Sequence, residues 1–199
     1  MSDYCTTLIV PGLRGSCAAH WQTWWQQKDR SACRIELNDW DRPDLDAWSK
    51  QVRDAVLESR REVWIVAHSF GCLACLHIAQ AHSERISGLL IVAPADPYKF
   101  GVASRLPQSL AVPSVFVASR SDPWLAFGKA QQWAENLGSR FVDVGDAGHI
   151  NVESGFGAWQ PGFDLFADFK REIGAAKLCG ALQLLHPRKR DIQFANNVC

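Results

Sequence analysis

The sequence predicts an α/β fold built on a mostly parallel sheet of six strands. Three observations carry this: short apolar, β-branched runs alternate with helix-like segments from end to end; the runs are largely apolar, as expected of strands covered on both faces; and the chemically loaded residues follow the runs. Alternating β and α segments imply right-handed crossovers, and such sheets place their sites beyond the carboxyl ends of the strands.

In chain order, Thr6–Val10, Arg34–Leu37, Val63–Ala67, Gly88–Val92, Ser114–Ala118 and Arg140–Val144 read as strands. Ala18–Lys28, Leu45–Ser59, Phe70–Ala81 and Trp124–Leu137 read as the intervening helices, with a last helix near Phe163–Ile173. In the second of these, Leu45, Trp48, Val52, Val56 and Leu57 fall on one side at helical spacing. Val92 to Pro113, with Pro94, Pro97 and Pro107, reads as loop with one short helix and as a candidate substrate wall. Leu178, Leu182 and Leu185 offer a helical stripe that Pro187 and Arg188-Lys189-Arg190 end, so the expected organisation is one domain over 1–174 and a peripheral tail over 175–199.

Composition narrows the function. The 199 residues are 47% hydrophobic, enough for one sizeable core. The 21 basic and 21 acidic residues cancel without long runs of either sign, which argues against nucleic acid and anionic membrane surfaces as partners. No apolar run reaches the length that spans a bilayer. Met1-Ser2-Asp3-Tyr4 offers no basic n-region, and the seven scattered cysteines read as reduced thiols, so a cytoplasmic location is expected. Nine tryptophans include Trp21, Trp24, Trp124 and Trp159 near the motifs, where they either wall a pocket or pack the core.

The strongest motif is Val66-Ala67-His68-Ser69-Phe70-Gly71, after a strand and before an apolar helix. A nucleophile elbow forces its serine into a tight turn, so the positions two before and two after must be small. Ala67 and Gly71 meet that need, although Gly is usual at the first. A serine hydroxyl attacks only when a base takes its proton, and the chain order of this arrangement is Ser, acid, His. His149, in Gly145-Asp146-Ala147-Gly148-His149 after the sixth strand, is the candidate base; His77, His82 and His186 lie on the elbow helix, just after it, or in the tail. Asp122, in Ser119-Arg120-Ser121-Asp122-Pro123 after the fifth strand, is the candidate acid; it also suits a helix cap, and Asp96, Asp143 and Asp146 are alternatives. The oxyanion donors expected are the backbone N–H groups of Phe70 and Leu13, the latter in the glycine-bearing loop Pro11-Gly12-Leu13-Arg14-Gly15-Ser16. That loop lacks the Walker Lys-Ser/Thr pair and the full G-x-G-x-x-G of a phosphate cradle. Cys72-x-x-Cys75 lies inside an apolar helix and reads as packing rather than redox or zinc chemistry.

Val10-Pro11-Gly12-x-x-Gly15-Ser16 with His20-Trp21, then Ala67-His68-Ser69-Phe70-Gly71, resembles the YdeN / retinoblastoma-binding-protein-nine family of small serine hydrolases. Pro94-Ala95-Asp96-Pro97, Ser119-x-x-Asp122-Pro123 and Gly148-His149-Ile150-Asn151-x-Glu153-Ser154-Gly155 extend the resemblance to about Gly174. It implies a compact α/β-hydrolase core with strand order 2-1-3-4-5-6, helices on both faces, no large cap domain, and a triad at Ser69, Asp122 and His149. The expected activity is hydrolysis of a small carboxylic ester, or a related thioester or amide, through an acyl-enzyme on Ser69, without metal or organic cofactor. The expected partner is a small-molecule acyl substrate, in a pocket flanked by Leu13, His20, Trp21, Phe70, Pro94 and Trp124, and the assembly a monomer or weak homodimer. His20 either touches substrate or makes a structural hydrogen bond in the first loop. The alternative is a non-catalytic interaction protein that keeps the fold.

Overall fold

The structure, a computed structural model, describes residues 5–185, with side chains to residue 179. Six strands form one parallel sheet in the order β2-β1-β3-β4-β5-β6: β1 (Thr7–Val10), β2 (Ala32–Arg34), β3 (Val63–His68), β4 (Ile86–Val92), β5 (Ser114–Ala118) and β6 (Arg140–Asp143). The order matches the expectation. β1, β4 and β5 are buried at every residue, which is why they carry no polar alternate face.

Five helices cover the sheet: α1 (Trp21–Lys28), α2 (Leu45–Glu58), α3 (Phe70–Ala79), α4 (Phe127–Leu137) and α5 (Gln160–Leu185). Successive strand residues point to opposite faces, and the core splits accordingly. Leu8, Ala67, Leu89 and Phe116 pack with α2, α3 and α4, whereas Ile9, Val66, Leu90 and Val117 pack with Trp21 and Trp25 of α1 and Phe166 and Phe169 of α5. The central helix α3 buries nine of its ten residues, so it is apolar all round. A Cβ at Gly71 would collide with the carbonyl oxygens of Pro11 and Val10, so only glycine lets α3 start this close to the sheet.

Several boundaries differ from the sequence reading, each for a local reason. β2 begins at Ala32 rather than Arg34, because the Asp29 carboxylate accepts the Ser31 N–H and turns the chain into the sheet early. Only one further ladder bond follows the strand, from Ile35 N–H to the Ile9 carbonyl. α1 starts at Trp21, not Ala18, since His20 caps it: its Nδ1 accepts the Gln22 N–H. α4 starts at Phe127, not Trp124; Asp122 closes a separate turn by accepting the Trp124 N–H, and the helix has no side-chain cap. On α2 the buried stripe includes Leu45, Trp48, Val52 and Val56, but Leu57 is exposed.

The last helix is much longer than 163–173 and passes Gly174 without a break. Lys177 on it pairs with Glu62, and Leu178 faces solvent. The side chains of Leu182 and Leu185, and all of His186 to Cys199, lie outside the described residues. Among the described residues no helix is long and apolar enough to cross a membrane.

Candidate active site

The site forms at the carboxyl edge of the sheet, where the loops after β1, β3, β5 and β6 meet. Ser69 follows β3 directly and holds φ 53° and ψ −125°, a backbone conformation disfavoured for a residue with a side chain. Its own N–H is anchored to the Val92 carbonyl of β4, and its carbonyl accepts from Cys72 of α3. This is the strand–turn–helix elbow expected from the motif.

Three of the predicted side chains form one hydrogen-bonded chain. His149 Nε2 lies 2.9 Å from Ser69 Oγ, and His149 Nδ1 lies 3.0 and 3.1 Å from the two oxygens of Asp122. A carboxylate can only accept, so Nδ1 carries the proton and Nε2 is left as acceptor for the serine hydroxyl. The Asp122 and His149 side chains are 3% and 9% exposed, so the pair works largely shielded from water. The alternatives for the acid are engaged elsewhere. Asp96 accepts the Tyr98 N–H and faces Lys129 at 3.5 Å, and Asp143 pairs with Arg120.

The loop after β1 lies on top of the serine. A Cβ on Gly12 would stand 2.6 Å from Ser69 Cβ and 3.3 Å from Ser69 Oγ, so the Gly12 backbone is pressed against the serine side chain. The Phe70 N–H is the first of α3 and belongs to the turn that a helix leaves without intrahelical acceptors. The start of α3 and Gly12, the neighbour of Leu13, therefore both lie beside Ser69.

The loops bearing the acid and the base are stitched together by groups that sequence reasoning passed over. Ser119 Oγ accepts the Ala147 N–H at 2.9 Å, Ser121 Oγ accepts the Gly148 N–H at 3.0 Å, and the Arg120 N–H donates to the Gly145 carbonyl. Beyond the histidine, Ser154 Oγ accepts the His149 N–H and donates to Asn151 Oδ1. Gly148, at φ 53°, packs so closely on Ser154 that a Cβ would collide with that hydroxyl. The signal was present in sequence as the Ser119-x-x-Asp122 and Gly148–Gly155 blocks, but not the pairing between them.

Among the predicted pocket residues, Trp124 is 47% exposed, with its ring centroid 6.1 Å from that of His149. Lys99 holds the Trp124 loop by donating to the carbonyls of Pro123 and Trp124. Leu13 is half-buried, and Pro94 is buried at the end of β4. His20 and Trp21 are not pocket walls. His20 caps α1, and Trp21 is fully buried against Trp25 and Trp159 because its indole N–H donates inward to the Ile150 carbonyl at 2.8 Å. Burial, then the nearby Arg34 and His149, pushes His20 down to about 4, so it is neutral at pH 7.

The segment after β4 does wall a groove, on the α4 side. It has a volume of about 610 Å³ and is lined by Pro97, Leu106, Leu125, Trp133 and the Asp96–Lys129 pair among others; Ser69 and His149 do not line it. Cys72 and Cys75 are buried in α3, and burial raises both thiols far above the usual range. No cluster of three or more His, Cys, Asp or Glu side chains suited to a metal exists among the described residues.

Comparison with known proteins agrees with this architecture. No curated protein matches the chain. A protein of Pectobacterium atrosepticum, whose structure is named as that of a YdeN-like hydrolase, is 40% identical over 85% of this chain and 92% of its own, with a TM-score of 0.82. The ydeN gene product of Bacillus subtilis is 19% identical over 84% of this chain and 99% of its own, with a TM-score of 0.71. Est1E of Butyrivibrio proteoclasticus, solved with ferulic acid bound, shares the fold at 13% identity over 92% of this chain and 91% of its own, with a TM-score of 0.60. Residues 7–168 match the serine hydrolase family, which spans the sheet and every residue of the hydrogen-bonded chain, and the protein is a member of that family.

Proposed function

We propose that the protein hydrolyses a small carboxylic ester, or a related thioester or amide, through an acyl-enzyme on Ser69. The observation that carries this reading is the continuous Ser69–His149–Asp122 hydrogen-bonded chain at the elbow. In the first half-reaction Ser69 Oγ attacks the carbonyl carbon while His149 Nε2 takes its proton. The resulting imidazolium is stabilised by Asp122 at Nδ1–H, and the oxyanion by the amides of Phe70 and Leu13. Collapse breaks the bond to the leaving group, which receives the proton from Nε2. Water then attacks the acyl-serine with His149 again as base, releasing the acid and restoring the hydroxyl.

Trp124, half-exposed beside the histidine ring, is the side chain this reading assigns to substrate contact at the mouth. A fluorophosphonate probe tests the proposal. Covalent labelling of Ser69, abolished in Ser69→Ala, is expected. A folded protein that is not labelled overturns the reading in favour of a non-catalytic binding protein, and p-nitrophenyl esters of graded chain length then sort substrates if labelling occurs.

A further inference from the structure

We infer that His68 and Trp21 are positioning residues for the base: they hold the carbonyls of His149 and Ile150 and so keep the imidazole in line between Ser69 and Asp122. This rests on the hydrolase reading and deepens it.

The backbone at this point is held on its N–H side, where the Ile150 N–H donates to the Ala147 carbonyl and the His149 N–H to Ser154 Oγ. Ile150 sits at φ 48°, a left-handed conformation disfavoured for a β-branched residue, and such strain persists only where the surroundings over-determine it. Two ring N–H groups hold the carbonyl side. His68 Nε2–H donates to the His149 carbonyl at 2.9 Å, and Trp21 Nε1–H donates to the Ile150 carbonyl at 2.8 Å. All four residues are buried, so water does not compete for either carbonyl.

The donors come from rigid parts of the molecule. His68 is the last residue of β3, which pairs with β1 and β4 on its two sides, and Trp21 opens α1 inside the aromatic core. His68 also directly precedes Ser69. The nucleophile and the group that grips the base loop are thus adjacent in one rigid strand end, so the His149 backbone is anchored to the same element that carries Ser69.

The tautomer follows from the geometry. A carbonyl accepts only, so His68 carries its proton on Nε2. Burial, with the imidazoles of His149 and His20 nearby at centroid distances of 4.9 and 5.2 Å, keeps it well below the usual imidazole range and therefore neutral. When His149 takes the serine proton, no second positive charge stands beside it.

Replacement at 68 separates this role from simple packing. Gln retains an N–H donor at the reach of Nε2, whereas Leu removes it. Trp21→Phe removes the other donor while keeping an aromatic ring. Three readouts are needed: the thermal midpoint, steady-state hydrolysis of p-nitrophenyl acetate, and the far-downfield proton resonance of the His149–Asp122 bond, which needs no turnover. His68→Leu is expected to lose the resonance and to lower kcat about 10- to 100-fold, with KM unchanged within about two-fold. His68→Gln is expected to keep the resonance and most of kcat, and Trp21→Phe to weaken both. If His68→Leu does not fold, the inference is decided on the other two variants. Retention of both resonance and kcat in Trp21→Phe and His68→Leu overturns it, as does an equal loss of kcat in Leu and Gln variants of equal thermal midpoint. Failure of the hydrolase reading looks different: the wild-type protein then shows the resonance but takes no fluorophosphonate.

Discussion

Gly12 and Ser69 are packed so tightly that even one methyl group between them has no space: a Cβ on Gly12 would lie 2.6 Å from Ser69 Cβ. The elbow backbone cannot retreat, because Ser69 is tied to β4 through Val92 and Gly71 is pressed on the Pro11 carbonyl. Gly12→Ala therefore has to displace the loop after β1, and with it the Leu13 amide. The expected result is a loss of kcat on p-nitrophenyl acetate of about 100-fold or more, in line with removal of one oxyanion donor. Full activity in a folded Gly12→Ala protein would show that the loop is not part of the oxyanion site.

Asp122→Asn tests the acid. Asp122 Oδ1 also accepts the Trp124 N–H at 2.9 Å, and an asparagine oxygen can keep that bond, so the turn survives. What changes is the other side: an amide NH₂ facing His149 Nδ1 needs an acceptor there, which moves the imidazole proton to Nε2 and removes the lone pair that takes the serine proton. A fall in kcat of about 10³- to 10⁴-fold is expected, with stability altered by less than about 1 kcal/mol. Steady-state kinetics beside urea denaturation measures both, and an undiminished rate would remove Asp122 from the mechanism.

The positions of Ser69 and Asp122 were legible because each follows a largely buried strand that leaves an apolar run, as in Ser114–Ala118 before Asp122. His149 follows the edge strand β6, exposed or half-buried throughout, and was legible instead from its glycine-bearing loop and its place last in the chain order. Edge and partly covered elements were less legible. β2 is three residues long with Arg34 in it, and the apolar Ile35 and Leu37 drew the expected strand past its end. Trp124 reads as a helix start because Asp-Pro precedes it, yet the structure uses Asp122 to bind His149 and closes a turn first. Trp21 was the plainest misreading. Its proximity to a motif suggested a pocket wall, but an indole whose N–H has an interior acceptor packs inward, and that acceptor is 129 residues away. Contacts of such separation, including His68 with the His149 carbonyl, leave no periodic trace in a single sequence.

The thiols divide by burial. Cys72 and Cys75 are enclosed in α3, and burial, with Cys33 adding to it, pushes Cys5 up to about 12. Cys17 and Cys179 are exposed. Because the thiolate is the reacting species, a disulfide reagent at neutral pH is expected to modify Cys17 and Cys179 in the native protein, and Cys72 and Cys75 only on unfolding. Peptide mapping distinguishes the sites; modification of Cys72 or Cys75 without loss of structure would contradict a packing role for this pair.

Stability is expected to fall with acid through the buried imidazoles. His20, near 6.5 when unfolded, stands at about 4 in the folded protein, and His68 shifts in the same direction. Between those values the unfolded chain binds more protons, so unfolding free energy rises with pH: the contribution is complete above about 6.5 and declines as pH drops towards 4. For His20 the full span corresponds to about 3 kcal/mol. Protonation would also strip the helix cap, since Nδ1 is the acceptor for the Gln22 N–H. His20→Asn supplies a cap oxygen that does not titrate. Urea denaturation followed from about pH 7.5 to about 4.5 should therefore give a shallower decline for His20→Asn than for the wild-type protein, and superimposable slopes would mean that His20 titrates alike in both states.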